Sequence, residues 1–458
     1  MLKKTITLLM VLCSTITHTT SYWNWDRIDV NNINFPQSFK WGVSELAREI
    51  EGYPAKDTFS TYAGYINHNG KPFESTPIGI ASDYWNRYKE DIDRMAEYGL
   101  TSFCRSIDWA KIEPIEGYFD ESVLAHYADE CAYAFSRGVK MIITFKEYSD
   151  PDWFIKKGGF EKTENIALFE RYCLKVAQAL EGYVDTYITF WCPDTYAIMG
   201  YWTDMHPPFK RDMQTMATVF KNVLQAHVQV YSAIKQADTT QKVRVGIVKH
   251  IHRLEPVNFL GKLACKFANR LTDAPFYSFF TKGTFNIKVS LPGTFNASVH
   301  YTNKNAPKSV DFIGINYHSH SLMKNLHRLE TDNPKEIATD IPGFTLYPEG
   351  LYHAIREVSH KMAKQLNIPI YITQNGVATR KDSVRTVHAQ RHIYAMSQAI
   401  KHGYNVQGYH YSSLIDGHAW GGYDKKFGLF AVDRNTLERT LKPGALYYLD
   451  VVKRFGGA

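Results

Sequence analysis

Short apolar runs recur along the chain, separated by stretches whose apolar residues return every three or four positions. The runs are FKWGVS (39–44), SFCRSI (102–107), KMIITF (140–145), TYITF (186–190), VRVGIV (243–248), DFIGINY (311–317), PIYITQ (369–374) and VQGYHYS (406–412). Each is nearly uninterrupted rather than alternating, the pattern of parallel strands buried on both faces. Between the first two, SDYWNRYKEDIDRMAEYGL sets Tyr84, Tyr88, Ile92, Met95 and Ala96 at helical spacing, with Gly99 as a C-terminal cap. A second helix is predicted over 121–136, closed by Gly138. Eight strand–helix units in one domain predict an α/β fold, a single (β/α)8 TIM barrel. The rival is a doubly wound open sheet, which usually opens on a Gly-rich turn. No GxGxxG follows any of these strands.

Composition narrows the picture. The chain has 458 residues, 44% of them hydrophobic, enough for a large core. No linker-like or repetitive stretch divides it, so one domain is expected over 22–458. Net charge is +7, but the basic residues are scattered, which argues for a solvated surface and against a nucleic-acid partner. The start, MLKKTITLLMVLCSTITHTTSY, has a charged pair, an apolar run and then small and polar residues. That order reads as a secretory signal peptide over 1–21, cut between Thr17 and Ser21. The apolar run is too short for a transmembrane anchor. A soluble secreted or luminal protein is expected. Five cysteines remain after cleavage, without CxxC spacing, so neither a disulfide framework nor a zinc site is implied. No cofactor is implied either. Asn296-Ala297-Ser298 is a glycosylation sequon, meaningful in a eukaryotic secretory pathway.

In such a barrel, chemistry sits at the C-terminal ends of the strands. Those ends hold Arg105, Glu147, Trp191, Cys192, His250 with His252, Tyr317-His318, Gln374 and Asp416. Trp109, Tyr148, Trp191, Tyr409, Tyr411 and Trp420 recur beside them. Aromatic faces with interleaved polar groups suit sugar rings, and equally serve as rim packing.

From FPQSFKWG through TFWCPDTYAIMGY, DFIGINY and YITQNG to GYHYSSLIDGHAWGGYDKKFGLFAVD, the chain resembles glycoside hydrolase family 1, the β-glucosidase-like barrels, over roughly residues 35–450. The resemblance implies a retaining mechanism with two glutamates, a nucleophile and an acid/base. The nucleophile of T-E-N-G falls on Gln374, and the acid/base of N-E-P falls on Cys192. The family glutamine of Q-x-E-G falls on Glu49, and the histidine of H-W-x-x-P on Glu147. The arginine that supports the nucleophile falls on Cys104, the late tryptophan on Ser412, and a sugar-binding glutamate on Ala419. Asn316-Tyr317, Asn375 and Trp420 match the family pattern. Substrate-binding positions are therefore expected at Glu49, Glu147, Trp191, Asn316, Tyr317 and Trp420.

Gln374 is an amide and carries no charge. Cys192 is a thiol with an ordinary pKa of ~8.5, a nucleophile only if a cation such as Arg105 or a nearby histidine lowers it. The resemblance thus implies a pseudoenzyme with a binding role, like Klotho-like barrels that serve as co-receptors for growth factors. Two alternatives stand beside it. One is an active β-glycosidase with altered chemistry, for which Glu49 and Glu147 offer a carboxylate pair. The other is a lectin-like barrel that stacks glycans on Tyr317, Trp420 and Trp191.

Overall fold

A computed structural model describes residues 22–52, 76–291, 295–329 and 336–456. The leader read at 1–21 lies outside the described residues. Eight parallel strands close a ring: β1 (Lys40–Glu45), β2 (Ser102–Ser106), β3 (Lys140–Lys146), β4 (Thr186–Trp191), β5 (Arg244–His250), β6 (Phe312–Asn316), β7 (Ile370–Asn375) and β8 (Val406–Ser412). Neighbours in the ring are neighbours in sequence, and β8 returns to pair with β1. Closure excludes the open-sheet rival.

The uninterrupted apolar runs have a direct cause. Cys104, Ile142, Ile188, Val248, Phe312 and Tyr371 form one apolar cluster inside the ring. Alternate residues of the same strands, including Val43, Phe103, Ile143, Tyr187, Ile247, Ile313, Ile372 and Tyr409, pack into the larger cluster shared with the helices. Both faces of β2 to β7 are therefore apolar. The helix Tyr84–Glu97 buries Tyr84, Tyr88, Ile92 and Met95. Gly99 follows in the left-handed region at φ 75°. The helix Glu121–Ser136 starts at Asp120, whose carboxylate accepts the N–H groups of Ser122 and Val123, a side-chain N-cap.

Structure beyond the eight units gathers after β5. The strand Arg253–Pro256 pairs in parallel with His320–Lys324, and a hairpin joins Thr284–Leu291 to Phe295–Thr302. Asn296 is exposed on that hairpin while Ala297 is buried. All five cysteines of the described residues are free thiols. Among the described residues, no helix is long and apolar enough to cross a membrane.

Candidate functional site

A cavity of about 310 Å³ opens at the C-terminal ends of the strands. That is the small end of the range for small-molecule pockets. Its wall brings together Glu49, Glu147, Trp191, Cys192, Asn316, Gln374 and Trp420.

Gln374 lies in β7, where the pairing register shifts against both neighbouring strands. Its side-chain N–H donates to Ser412 Oγ at 3.1 Å. The following Gly376 is required by close approach. A Cβ there would come 1.7 Å from the Ser412 carbonyl oxygen. Cys192 follows β4 with φ 56° and ψ 64°, and caps the helix Pro193–Tyr201. Its thiol accepts an N–H from Asn316 Nδ2 at 3.3 Å, and Asn316 Oδ1 in turn accepts from Thr373 Oγ1 at 2.7 Å. Burial first, then the charge of Asp194, pushes the Cys192 thiol well above its ordinary range. It therefore stays protonated. Asp194 does not substitute for it, because its carboxylate is bound by buried Lys249, which also meets Asp273 at 2.9 Å.

Two carboxyls line the same wall, Glu147 after β3 and Glu49 after β1. Glu147 accepts a hydrogen bond from Ser106 Oγ at 2.9 Å. Burial pushes its pKa up to about 7. Glu49, on the short helix Ala47–Ile50 after β1, is raised further by burial, by Glu147 and by Glu45. Three of the cavity histidines are held neutral, and the fourth, His418, sets its Nε2 against the Thr76 carbonyl at 2.7 Å. Burial lowers His206 to about 4 and lowers His250 and His318 as well. Trp191 is buried, whereas Trp420 is 58% exposed at the rim. Among the described residues, no three His, Cys, Asp or Glu side chains converge on a metal position.

Several expected residues lie elsewhere. Tyr317 is fully buried outside the cavity wall, and its hydroxyl donates to the Tyr347 carbonyl at 2.7 Å. Asn375 supports rather than lines: its amide donates to the Tyr317 carbonyl, and its oxygen accepts from Tyr409 OH, each at 2.7 Å. Arg105 points outward from β2, pairing with Glu51 and, at 2.6 Å, with Glu130. It cannot act on Cys192. Asp416 accepts from Lys442 Nζ at 2.7 Å and from the Gly428 N–H at 2.9 Å. His252 pairs with Ser321 Oγ at 2.7 Å. The wall also contains Arg48, Thr195, Met199, Met205 and His206, which strand-end reasoning did not reach. Thr195 and Met199 stand on the helix begun by Cys192, and their spacing from it was the available signal.

The sequence profile described as Glycosyl hydrolase family 1 matches residues 31–456. The chain belongs to this family. Beta-glucosidase A of Thermotoga maritima is 27% identical over 463 residues, covering 93% of this chain and 99% of that protein. Galactolipid galactosyltransferase SFR2, chloroplastic, of Arabidopsis thaliana is 27% identical, covering 81% of this chain and 58% of its own length. Among solved structures, a beta-glycosidase from Pyrococcus horikoshii aligns with TM-score 0.78 and 30% identity, covering 93% of this chain and 98% of that one. The family 1 b-glucosidase of Thermotoga maritima in complex with isofagomine lactam aligns with TM-score 0.80 and 26% identity, covering 92% and 99%. In this family 1 barrel, the Cys192 thiol after β4 and the Gln374 amide of β7 both line the cavity.

Proposed function

We propose that this family 1 barrel binds a sugar-like ligand at its mouth and does not hydrolyse glycosides. One observation carries the reading: the two motif positions at the ends of β4 and β7 are both in the cavity and both uncharged. A retaining glycosidase needs one carboxylate to bond the sugar and another to give and take a proton. An amide hydrogen-bonded to Ser412 and a thiol kept protonated by burial supply neither. Loss of such groups commonly costs several powers of ten in rate, each ~1.4 kcal/mol of barrier.

A second reading has its own support. Burial raises Glu147 to about 7, a value that suits a general acid, and Glu49 lines the same cavity. That pair would make the barrel a β-glycosidase of altered chemistry. Both carboxyls belong to the β1–β3 side of the mouth, however, and the β4 and β7 positions remain empty of charge. The Klotho-like alternative, a protein or growth-factor partner, rests on family analogy, and no residue of the cavity selects such a partner.

The test is release of phenol from aryl β-glycosides by the purified chain between about pH 4 and 9, alongside Cys192→Ala and Glu147→Gln. The expected result is no release above buffer in any of the three. Turnover abolished by either substitution would replace this reading with the altered-chemistry one.

A further inference from the structure

Glu49 is the anomaly of the cavity. Its carboxyl makes no hydrogen bond or ion pair among the described residues, although it lines an enclosed wall. The charged groups that act on it are both acids, Glu147 and Glu45. Glu45 is occupied, accepting the Ile415 N–H at 3.0 Å. The nearby cations serve other groups. Lys146 turns to Asp150 at 3.3 Å and to the Glu147 carbonyl, and Arg48 acts on Glu147 and Asp108. Burial keeps His206, His250 and His318 neutral, and His418, whose backbone N–H donates to the Glu49 carbonyl, turns its Nε2 to the Thr76 carbonyl at 2.7 Å.

Two partly desolvated carboxyls that face one cavity, with no cation for one of them, are poorly compensated. A neutral polyol would offer them only neutral donors. A protonated amine would offer charge-assisted hydrogen bonds to both, and would favour the ionised forms that burial and their neighbourhood oppose. Trp191 and Trp420 add indole rings on which the apolar face of a ring, or the cation itself, can rest.

We propose that the ligand of this cavity is an amino sugar whose ammonium group sits between Glu49 and Glu147. The inference rests on the cavity being a binding site, and it adds the chemical class of what is bound.

Calorimetric titration of the whole chain separates the two claims. The probes are glucosamine, galactosamine and mannosamine, each with its parent sugar and its N-acetyl form, which keeps the nitrogen but loses the charge. At least one free amine is expected to bind about tenfold or more tightly than both neutral counterparts, as charge-assisted bonds allow. Glu49→Gln is expected to abolish that preference while circular dichroism reports an intact fold, and Glu147→Gln to reduce it. Equal binding of amine and neutral forms, binding of no amine, or a preference that survives Glu49→Gln overturns the proposal. Neutral sugars that bind without preference would leave the binding reading standing and remove only the amine. Aryl glycoside turnover would remove the reading beneath it.

Discussion

Cys104 and Arg105 are adjacent on β2, and the pleat sends them to opposite faces. Cys104 joins the apolar cluster inside the ring, while Arg105 meets Glu51, Glu130 and the rings of Tyr84 and Tyr127 outside it. Replacing Arg105 by leucine would leave buried Glu130 without its cation and Glu51 with Lys111 alone. Chemical denaturation should report a loss of about 3–5 kcal/mol. The same alternation was legible in the sequence. A cysteine assigned to the interior fixes its neighbour outside, and that removes Arg105 as an activator of Cys192. Tyr317 misled for the same reason, because adjacent Asn316 takes the inward position. Restoring both glutamates, as Cys192→Glu with Gln374→Glu, should give little aryl glycoside turnover. The resemblance implies that Glu49, Glu147, Ser412 and Ala419 also replace sugar-contacting residues, so the sugar would not be held for attack. Strong turnover by the double variant would show that the rest of the wall still positions a substrate.

At the scale of elements, strands were easier to read than the wall they support. All eight runs became strands, because burial on both faces leaves an unbroken apolar signature. The rim sheet of Arg253–Pro256 and His320–Lys324 is short and mixed in polarity, so no such signature marks it. The β7–β8 junction is set by contact rather than by pattern. Gly376→Ala should cost about 1–3 kcal/mol, measured by denaturant midpoint, because its methyl would collide with the Ser412 backbone. The long helix Met213–Ala237 is tied to the barrel by His227. Its Nε2–H donates to the Ser309 carbonyl, and its Nδ1 accepts from Thr189 Oγ1, each at 2.7 Å. Burial lowers this histidine to about 4, so the folded chain keeps it neutral where the unfolded chain, with a pKa near 6.5, takes a proton. Its contribution is complete above about pH 6.5 and is lost as pH falls toward 4. Unfolding free energies of wild type and His227→Gln should therefore diverge in that window, wild type losing up to about 1.4 kcal/mol more per pH unit. A constant difference across the window would contradict this assignment.

For the whole molecule, the proposal is that fold and chemistry have separated. The barrel matches family 1 along nearly its full length, and the proposed loss of hydrolysis rests on two side chains at its mouth, Cys192 and Gln374. Fold-level likeness transmits the position of the cavity, not the reaction. The leader and the sequon make one further claim, that the chain is exported. Expression through a eukaryotic secretory pathway should give a mature protein that begins between His18 and Ser21 and carries a glycan removed by Asn296→Gln. An uncleaved, unglycosylated product would contradict it. The most direct test of the central claim uses a dinitrophenyl β-glycoside, whose leaving group departs without help from an acid. Its hydrolysis depends on the nucleophile position alone, so it is the most permissive substrate for a site holding Gln374. The account predicts a release rate equal to that of buffer from pH 4 to 9, unchanged by Gln374→Ala or Glu147→Gln. Release above buffer that either substitution abolishes would contradict it.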